Sequence, residues 1–269
     1  MKYTVGMCQM LPARDKEVSK GRFKEMAAEA ASKGAEVLVF PEMWVCPYDM
    51  DIIKEFKEPE GGCFYNCMKE TAAELGVYIF GGSMPEEDGD NIYNTSFAFD
   101  RQGNLIGKHR KVHMFDIDVP GRIKITESST ITPGDKATIV DTEFGKIGLA
   151  ICFDIRFAEL HRKMALEGAN LIVLPGVFNL TTGPAHWDIS VRMRAIDNQI
   201  FFAGVQAARD PEDKVQAWGH SLAADPWGEV LASDDETPQV CLFEVDTDVI
   251  DRVRGELPIM SGLKPEIYK

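Results

Sequence analysis

Apolar positions along the chain switch between the periods of strands and helices. Tyr3–Met10 alternates and predicts a strand. Lys16–Ser32 puts Phe23, Met26, Ala27 and Ala30 on one side and predicts an amphipathic helix that ends at Gly34. Glu36–Phe40 (EVLVF) is a short apolar run that predicts a second strand, and Pro41 and Glu42 follow at once. This β-α-β unit leaves Glu42 just past the carboxyl end of its second strand, where open α/β sheets put their chemistry. Met43–Gly62, with Trp44, Pro47 and Tyr48, predicts an irregular connection of the kind that shapes a pocket. Phe64–Leu75 predicts a helix and Val77–Gly81 a strand. Asn91–Phe99 and Asn104–Lys108 predict strands joined by the turn residues Asp100–Gly103.

His109–Gly134 is polar and aperiodic, and its length predicts a loop that lines a site. Regular patterning resumes with strands predicted over Ala137–Asp141 and Lys146–Ile151. Cys152 ends the second of these, and Asp154 stands at an N-cap position before a helix that runs to Glu167, with Phe157, Leu160 and Met164 at helical spacing. A strand at Asn170–Leu174, a loop at Pro175–Pro184, a helix at Ala185–Asn198 and a strand at Ile200–Val205 follow. Trp218–Ala224, Glu229–Ala232 and Gln239–Val245 predict strands, and Asp246–Arg254 a last helix. The two halves are loosely alike: EVLVFPE in one answers LIVLPGV in the other. The simplest architecture is one α/β domain over residues 1–269, with two mixed sheets face to face and helices on the outer sides.

Bulk composition narrows the functions. The 269 residues are 45% hydrophobic and carry a net charge of -14, from 29 basic and 43 acidic side chains, with no basic cluster. Nucleic acid is therefore excluded as an expected partner, and no apolar run reaches membrane-spanning length. The N-terminus MKYTVGMCQM does not read as a secretory signal. The six cysteines form no regular framework, so reduced thiols and a cytoplasmic location are expected. Cys63 and Cys67 lack a second Cys/His pair at metal-binding spacing.

Cys152 sits where a strand turns into a helix, and a helix N-terminus there favours the thiolate over the thiol. The alternative is a small hydrophobe at the end of a core strand. A nucleophile needs a base and an oxyanion partner, and Glu42 and Lys111 are the candidates because both follow strand ends. Each has a plainer reading: Glu42 as a cap for the segment after it, Lys111 as a solvated cation beside Lys108 and Arg110. Gly219-His220-Ser221-Leu222-Ala223 nearly spells a serine nucleophile elbow, but Asp225-Pro226-Trp227-Gly228 follows where a helix is required, which predicts a hairpin. His109 and His113 bracket two cations, a setting that disfavours a metal and predicts loop hydrogen bonds.

The stretches VFPEM, HRKVHMFDIDVPG and GLAICFDIRFAEL together resemble the three signature segments of the carbon–nitrogen hydrolase (nitrilase) superfamily. GRIKITESSTITPGD and PGVFNLTTGPAHWDISVRMRAIDNQ are similar to its omega-amidase branch, and the likeness spans about Thr4 to Trp227. The resemblance implies a four-layer α-β-β-α sandwich, homodimers paired through a helical layer, and no metal or organic cofactor. It also implies a catalytic set of Glu42, Lys111 and Cys152, with Glu127 as a second glutamate that steadies the lysine and substrate. Phe153 stands where many relatives have Tyr, and its backbone N–H can still face an oxyanion. The implied reaction is hydrolysis of the terminal amide of a small carboxylate-bearing amide, such as 2-oxoglutaramate or 2-oxosuccinamate, through a thioester. N-carbamoyl amide hydrolysis and general aliphatic amidase activity are the alternatives on the same fold, and a non-catalytic protein on that scaffold is the alternative outside enzymes. For the substrate carboxylate, Arg156 is the first candidate, four residues past Cys152, with a structural ion pair as its other reading; Tyr48 can add a hydrogen bond.

Overall fold

The computed structural model describes residues 1–267. The first half runs β1 (Lys2–Gln9), α1 (Lys16–Ser32), β2 (Val37–Val39), α2 (Met50–Phe56), α3 (Cys63–Leu75) and β3 (Tyr78–Phe80). β1, β2 and β3 lie parallel and adjacent. The chain then doubles back through β4 (Met84–Asp88), β5 (Asn91–Phe99) and β6 (Leu105–Arg110), all antiparallel. A separate hairpin, β7 (Asp116–Val119) and β8 (Ile123–Thr126), stands apart. The second half repeats the plan with β9 (Thr138–Thr142), β10 (Gly145–Leu149), α4 (Ala158–Leu166), β11 (Ala169–Gly176), α5 (Gly183–Asn198) and β12 (Phe201–Gln206), of which β10, β11 and β12 are parallel. β13 (Leu222–Ala224) and β14 (Val230–Ser233) complete this sheet; β15 (Gln239–Asp246) crosses to pair with β1, and α6 (Thr247–Glu256) follows.

Side-chain alternation along the central strands explains the layers. In β2, Val37 and Val39 face the other sheet while Leu38 faces the helices. In β11, Leu171 and Val173 point between the sheets, and Ile172 and Leu174 point to the opposite side. Strands buried on both faces must be apolar throughout, which is why these runs show no polar alternation. Phe23, Ala27 and Ala30 of α1 and Phe64, Met68 and Ala72 of α3 cover one outer face; Met164 of α4 and Trp187, Val191 and Ala195 of α5 cover the other. Asp15 starts α1 by accepting from the backbone N–H groups of Glu17 and Val18. The result is the four-layer α-β-β-α sandwich that the sequence predicts.

Three predictions change in detail. Asp154 does not cap an α-helix: Cys152–Arg156 is a 3-10 turn, and α4 starts only at Ala158 after Phe157. The irregular connection after Glu42 contains α2, capped by Asp49. The polar stretch after His109 holds the β7–β8 hairpin and a 3-10 turn at Glu127–Ser129. At Ser221 the predicted hairpin forms instead of an elbow: β13 pairs antiparallel with β14, and the Ser221 hydroxyl donates to Gln9 Oε1 at 2.8 Å.

Candidate active site

Three backbone segments bring Glu42, Lys111 and Glu127 together. Pro41 and Glu42 leave β2 over Gly82, whose φ is +62° and where a Cβ would overlap the Pro41 carbonyl. The Ser83 N–H donates to that carbonyl at 3.1 Å, and Ser83 Oγ accepts from the Met43 N–H at 3.1 Å, which pins Glu42 from both sides. Lys111 follows β6, with its N–H donating to the Asn94 carbonyl at 2.9 Å. Glu127 opens its 3-10 turn, and its Oε2 accepts from the Phe115 N–H at 2.6 Å.

The three side chains meet with no solvent exposure. Lys111 Nζ lies 2.9 Å from Glu42 Oε1, and 3.0 and 2.9 Å from the two Glu127 oxygens. Asn94 Nδ2 donates to Glu42 Oε1 at 2.8 Å and to Glu127 Oε1 at 3.4 Å. The Val177 N–H, just past β11, donates to Glu42 Oε2 at 3.0 Å. The matching strand ends of the two halves thus meet at one carboxylate. Burial raises the pKa of Glu42; Lys111 opposes that rise and Glu127 adds to it. Burial works against the Lys111 ammonium, yet Glu127 and Glu42 outweigh it and hold its pKa well above the ordinary lysine value. Two carboxylates around one ammonium leave this buried group one negative charge when all three are ionised.

Cys152 sits on the bend after β10 with φ +45°, a left-handed conformation unusual for a residue with a side chain. It is 5% exposed, and its thiol neighbours Glu42 and Lys111. The expectation of a resting thiolate is overturned. Burial and the Glu42 carboxylate raise the thiol pKa well above its ordinary value, and the opposing pull of Lys111 does not cancel them. A five-residue 3-10 turn also lacks the aligned dipoles of an α-helix. The geometry suits a neutral thiol facing a base able to take its proton.

Around this centre, Tyr48 is buried, its hydroxyl finds no protein partner, and its ring centroid lies 6.0 Å from Lys111 Nζ. Tyr48 also borders a cavity of about 370 Å³, walled in part by Met50, Ile123, Ile125 and Val215. Phe153 packs against Phe115 and Phe157. Arg156 lies over the rings of Phe153 and Phe178, 5.5 and 5.4 Å from their centroids. Its guanidinium donates to His186 Nδ1 at 3.2 Å and pairs with no carboxylate among the described residues, so the structural ion pair is absent. His109 and His113 make the hydrogen bonds the sequence predicts for them, each turning a ring nitrogen to the Asp154 carboxylate.

Sequence reasoning missed Asn94 and Val177. Asn94 could have been found as a polar residue within the strand-like run Asn91–Phe99. Val177 acts through its backbone, so no side-chain pattern could have shown it.

A cysteine on a strained bend after a central strand, beside a buried Glu-Lys-Glu cluster in an α-β-β-α sandwich, defines a cysteine-hydrolase type of centre. The family description of carbon–nitrogen hydrolases matches residues 4–255, and the chain belongs to that family and is an amide-hydrolysing enzyme. Omega-amidase NIT2 of Danio rerio is 41% identical over 267 residues, covering 99% of this chain and 96% of the relative. The chloroplastic omega-amidase of Arabidopsis thaliana is 41% identical over 273 residues, covering 100% of this chain and 74% of the relative. The crystal structure of Saccharomyces cerevisiae Nit3, described as a member of branch 10 of the nitrilase superfamily, superposes with a TM-score of 0.89 at 34% identity, covering 96% of this chain and 95% of that one.

Proposed function

We propose that the enzyme is an omega-amidase-like hydrolase in which Cys152 is the nucleophile, Glu42 the general base and acid, and Lys111 the oxyanion partner. The observation that carries this reading is the Lys111 ammonium held 2.9 Å from Glu42 beside the Cys152 thiol. Glu42 takes the thiol proton as Sγ bonds to the amide carbon. Lys111 Nζ and the Phe153 N–H hold the oxyanion. The C–N bond breaks as Glu42 returns the proton to nitrogen, and ammonia leaves. Water then gives a proton to Glu42 and attacks the thioester; the C–S bond breaks and Sγ is reprotonated. Glu127 keeps Lys111 charged and aimed through its two contacts. No metal or organic cofactor enters these steps.

The substrate class follows from Arg156. A guanidinium without a carboxylate partner, packed between aromatic rings near the nucleophile, suits the distant carboxylate of a 2-oxo dicarboxylate monoamide. The unpartnered Tyr48 hydroxyl supplies a further hydrogen bond. The names of the Danio and Arabidopsis relatives support the same class. One assay tests this: ammonia release from 2-oxosuccinamate, an N-carbamoyl acid and a simple aliphatic amide. The 2-oxo amide is turned over best, and Arg156→Ala raises its KM about 30-fold while leaving the aliphatic amide unchanged. Equal loss on both amides, or preference for the ureido acid, rejects the assignment.

A homodimer paired through the helical layer belongs to the same proposal. Ile189 and Met193, 68% and 48% exposed one turn apart on α5, support it. A reducing, cytoplasm-like setting also belongs to it, supported by six free cysteines. Among the described residues, no helix is long and apolar enough to cross a membrane.

A further inference from the structure

Asp154 is fully buried, lies two residues past Cys152, and enters none of the steps above. Its Oδ2 accepts from the Ile151 N–H at 3.0 Å, on the residue just before the nucleophile. Its Oδ1 accepts from the His113 N–H at 3.0 Å, two residues past Lys111. The His113 ring adds Nδ1 at 2.7 Å from Oδ1, and the His109 ring, two residues before Lys111, brings Nε2 to 3.4 Å from Oδ2. One carboxylate therefore joins the bend that carries the thiol to both flanks of the residue that carries the ammonium. The His113 ring is fixed in turn by stacking on Phe157, with centroids 3.5 Å apart and planes 7° from parallel. His109 Nδ1 meets Thr138 Oγ1 at 3.1 Å.

We infer that Asp154 is a positioning residue that, through His113 and the Ile151 N–H, holds the left-handed Cys152 backbone and the Lys111 segment in one fixed relation. The strain at Cys152 makes such a tie necessary. A residue with a Cβ keeps φ +45° only when its surroundings over-determine it. Asp154 supplies that constraint at the peptide immediately preceding the bend. It does so with Oδ2, which also meets His109, while Oδ1 of the same carboxylate takes both His113 donors, so a shift at either end is felt at the other. Four donors around the carboxylate outweigh its burial and hold its pKa below the ordinary aspartate range, so it stays an acceptor throughout. The amide of an asparagine has one acceptor oxygen and turns an NH₂ toward a donor, which cannot satisfy both segments.

This inference rests on Cys152 and Lys111 acting as proposed, and the experiment separates the two. Asp154→Asn, His113→Phe, His113→Asn and Cys152→Ala are assayed on 2-oxosuccinamate, with kcat normalised to the folded fraction of each preparation measured by circular dichroism. Asp154→Asn loses about 100-fold in kcat with KM within threefold, the signature of misplaced reacting groups. His113→Phe keeps an aromatic ring over Phe157 but removes the ring donor, and loses about 10-fold in kcat. His113→Asn restores an N–H near the Nδ1 position and recovers most of that loss. A normalised kcat within twofold of the parent in Asp154→Asn, at any melting temperature, overturns the inference. Should Asp154→Asn fail to fold, the His113 pair decides: full activity in His113→Phe, or a loss that His113→Asn does not restore, overturns it. Activity in Cys152→Ala defeats the nucleophile assignment itself, and the inference with it.

Discussion

Cys152→Ala abolishes ammonia release from 2-oxosuccinamate, lowering kcat by at least about 10⁴-fold, while the protein stays folded. Removing the sulfur leaves Lys111 between Glu42 and Glu127, because Asn94, the Phe115 N–H and the Val177 N–H still hold the two carboxylates around it. The cavity left is one small atom in a site already lined by polar groups. The stability cost is about 1 kcal/mol, which shifts the melting temperature of a chain this size by only a few degrees. Substrate binding survives, since the contacts proposed for Arg156 and Tyr48 do not involve sulfur. Circular dichroism and an ammonia assay on the same preparation check both halves of the expectation.

Lys111→Met has a different signature: both activity and stability fall. Turnover drops by about 10³-fold or more because the oxyanion loses its charged partner. Glu42 and Glu127, both without solvent exposure, are left facing one another with no cation between them. Breaking a buried ion pair from one side costs about 3–5 kcal/mol, or on the order of 10 °C in melting temperature. The loss depends on pH with a defined sign. Burial already raises the Glu42 pKa in the intact protein, and removing Lys111 raises it further. A carboxyl with a folded pKa above its unfolded value adds stability below the unfolded pKa, and that stability is lost as pH rises through the folded value. The variant is therefore more destabilised, relative to the parent, at pH 8 than at pH 5. Melting curves at the two pH values check it, and an equal deficit at both contradicts a buried cluster held together by the Lys111 charge.

What could be read from the chain was what a single segment can show. β2 and β11 are legible as apolar runs because both of their faces are buried, and the residues after them, Glu42 and Val177, fall where sheet edges collect chemistry. The bend at Cys152 is legible as the end of such a run. β4 was not, because MPEED offers proline and acids where a strand should be apolar; it lies at a sheet edge, and Glu86 is neutralised from outside the segment by Thr95, Lys108 and Arg110. The β7–β8 hairpin was hidden in the same way, since Asp116, Asp118 and Lys124 alternate with apolar residues over only four positions per strand. Asp154 looked like a helix cap because a local pattern cannot show that its partners come from the Lys111 segment. The protonation of Cys152 was misjudged for a related reason: a helix-dipole argument is local, whereas burial and Glu42 act through the assembled site.

The central claim is that amide hydrolysis passes through an acyl group on the sulfur of Cys152. Rapid acid quenching of the enzyme during turnover of 2-oxosuccinamate, followed by peptide mass spectrometry, tests it most directly. The account predicts a mass increase equal to the 2-oxosuccinyl group on the peptide that contains Cys152, removed by hydroxylamine. Turnover at full rate with that peptide unmodified, or with the acyl group on another side chain, contradicts it.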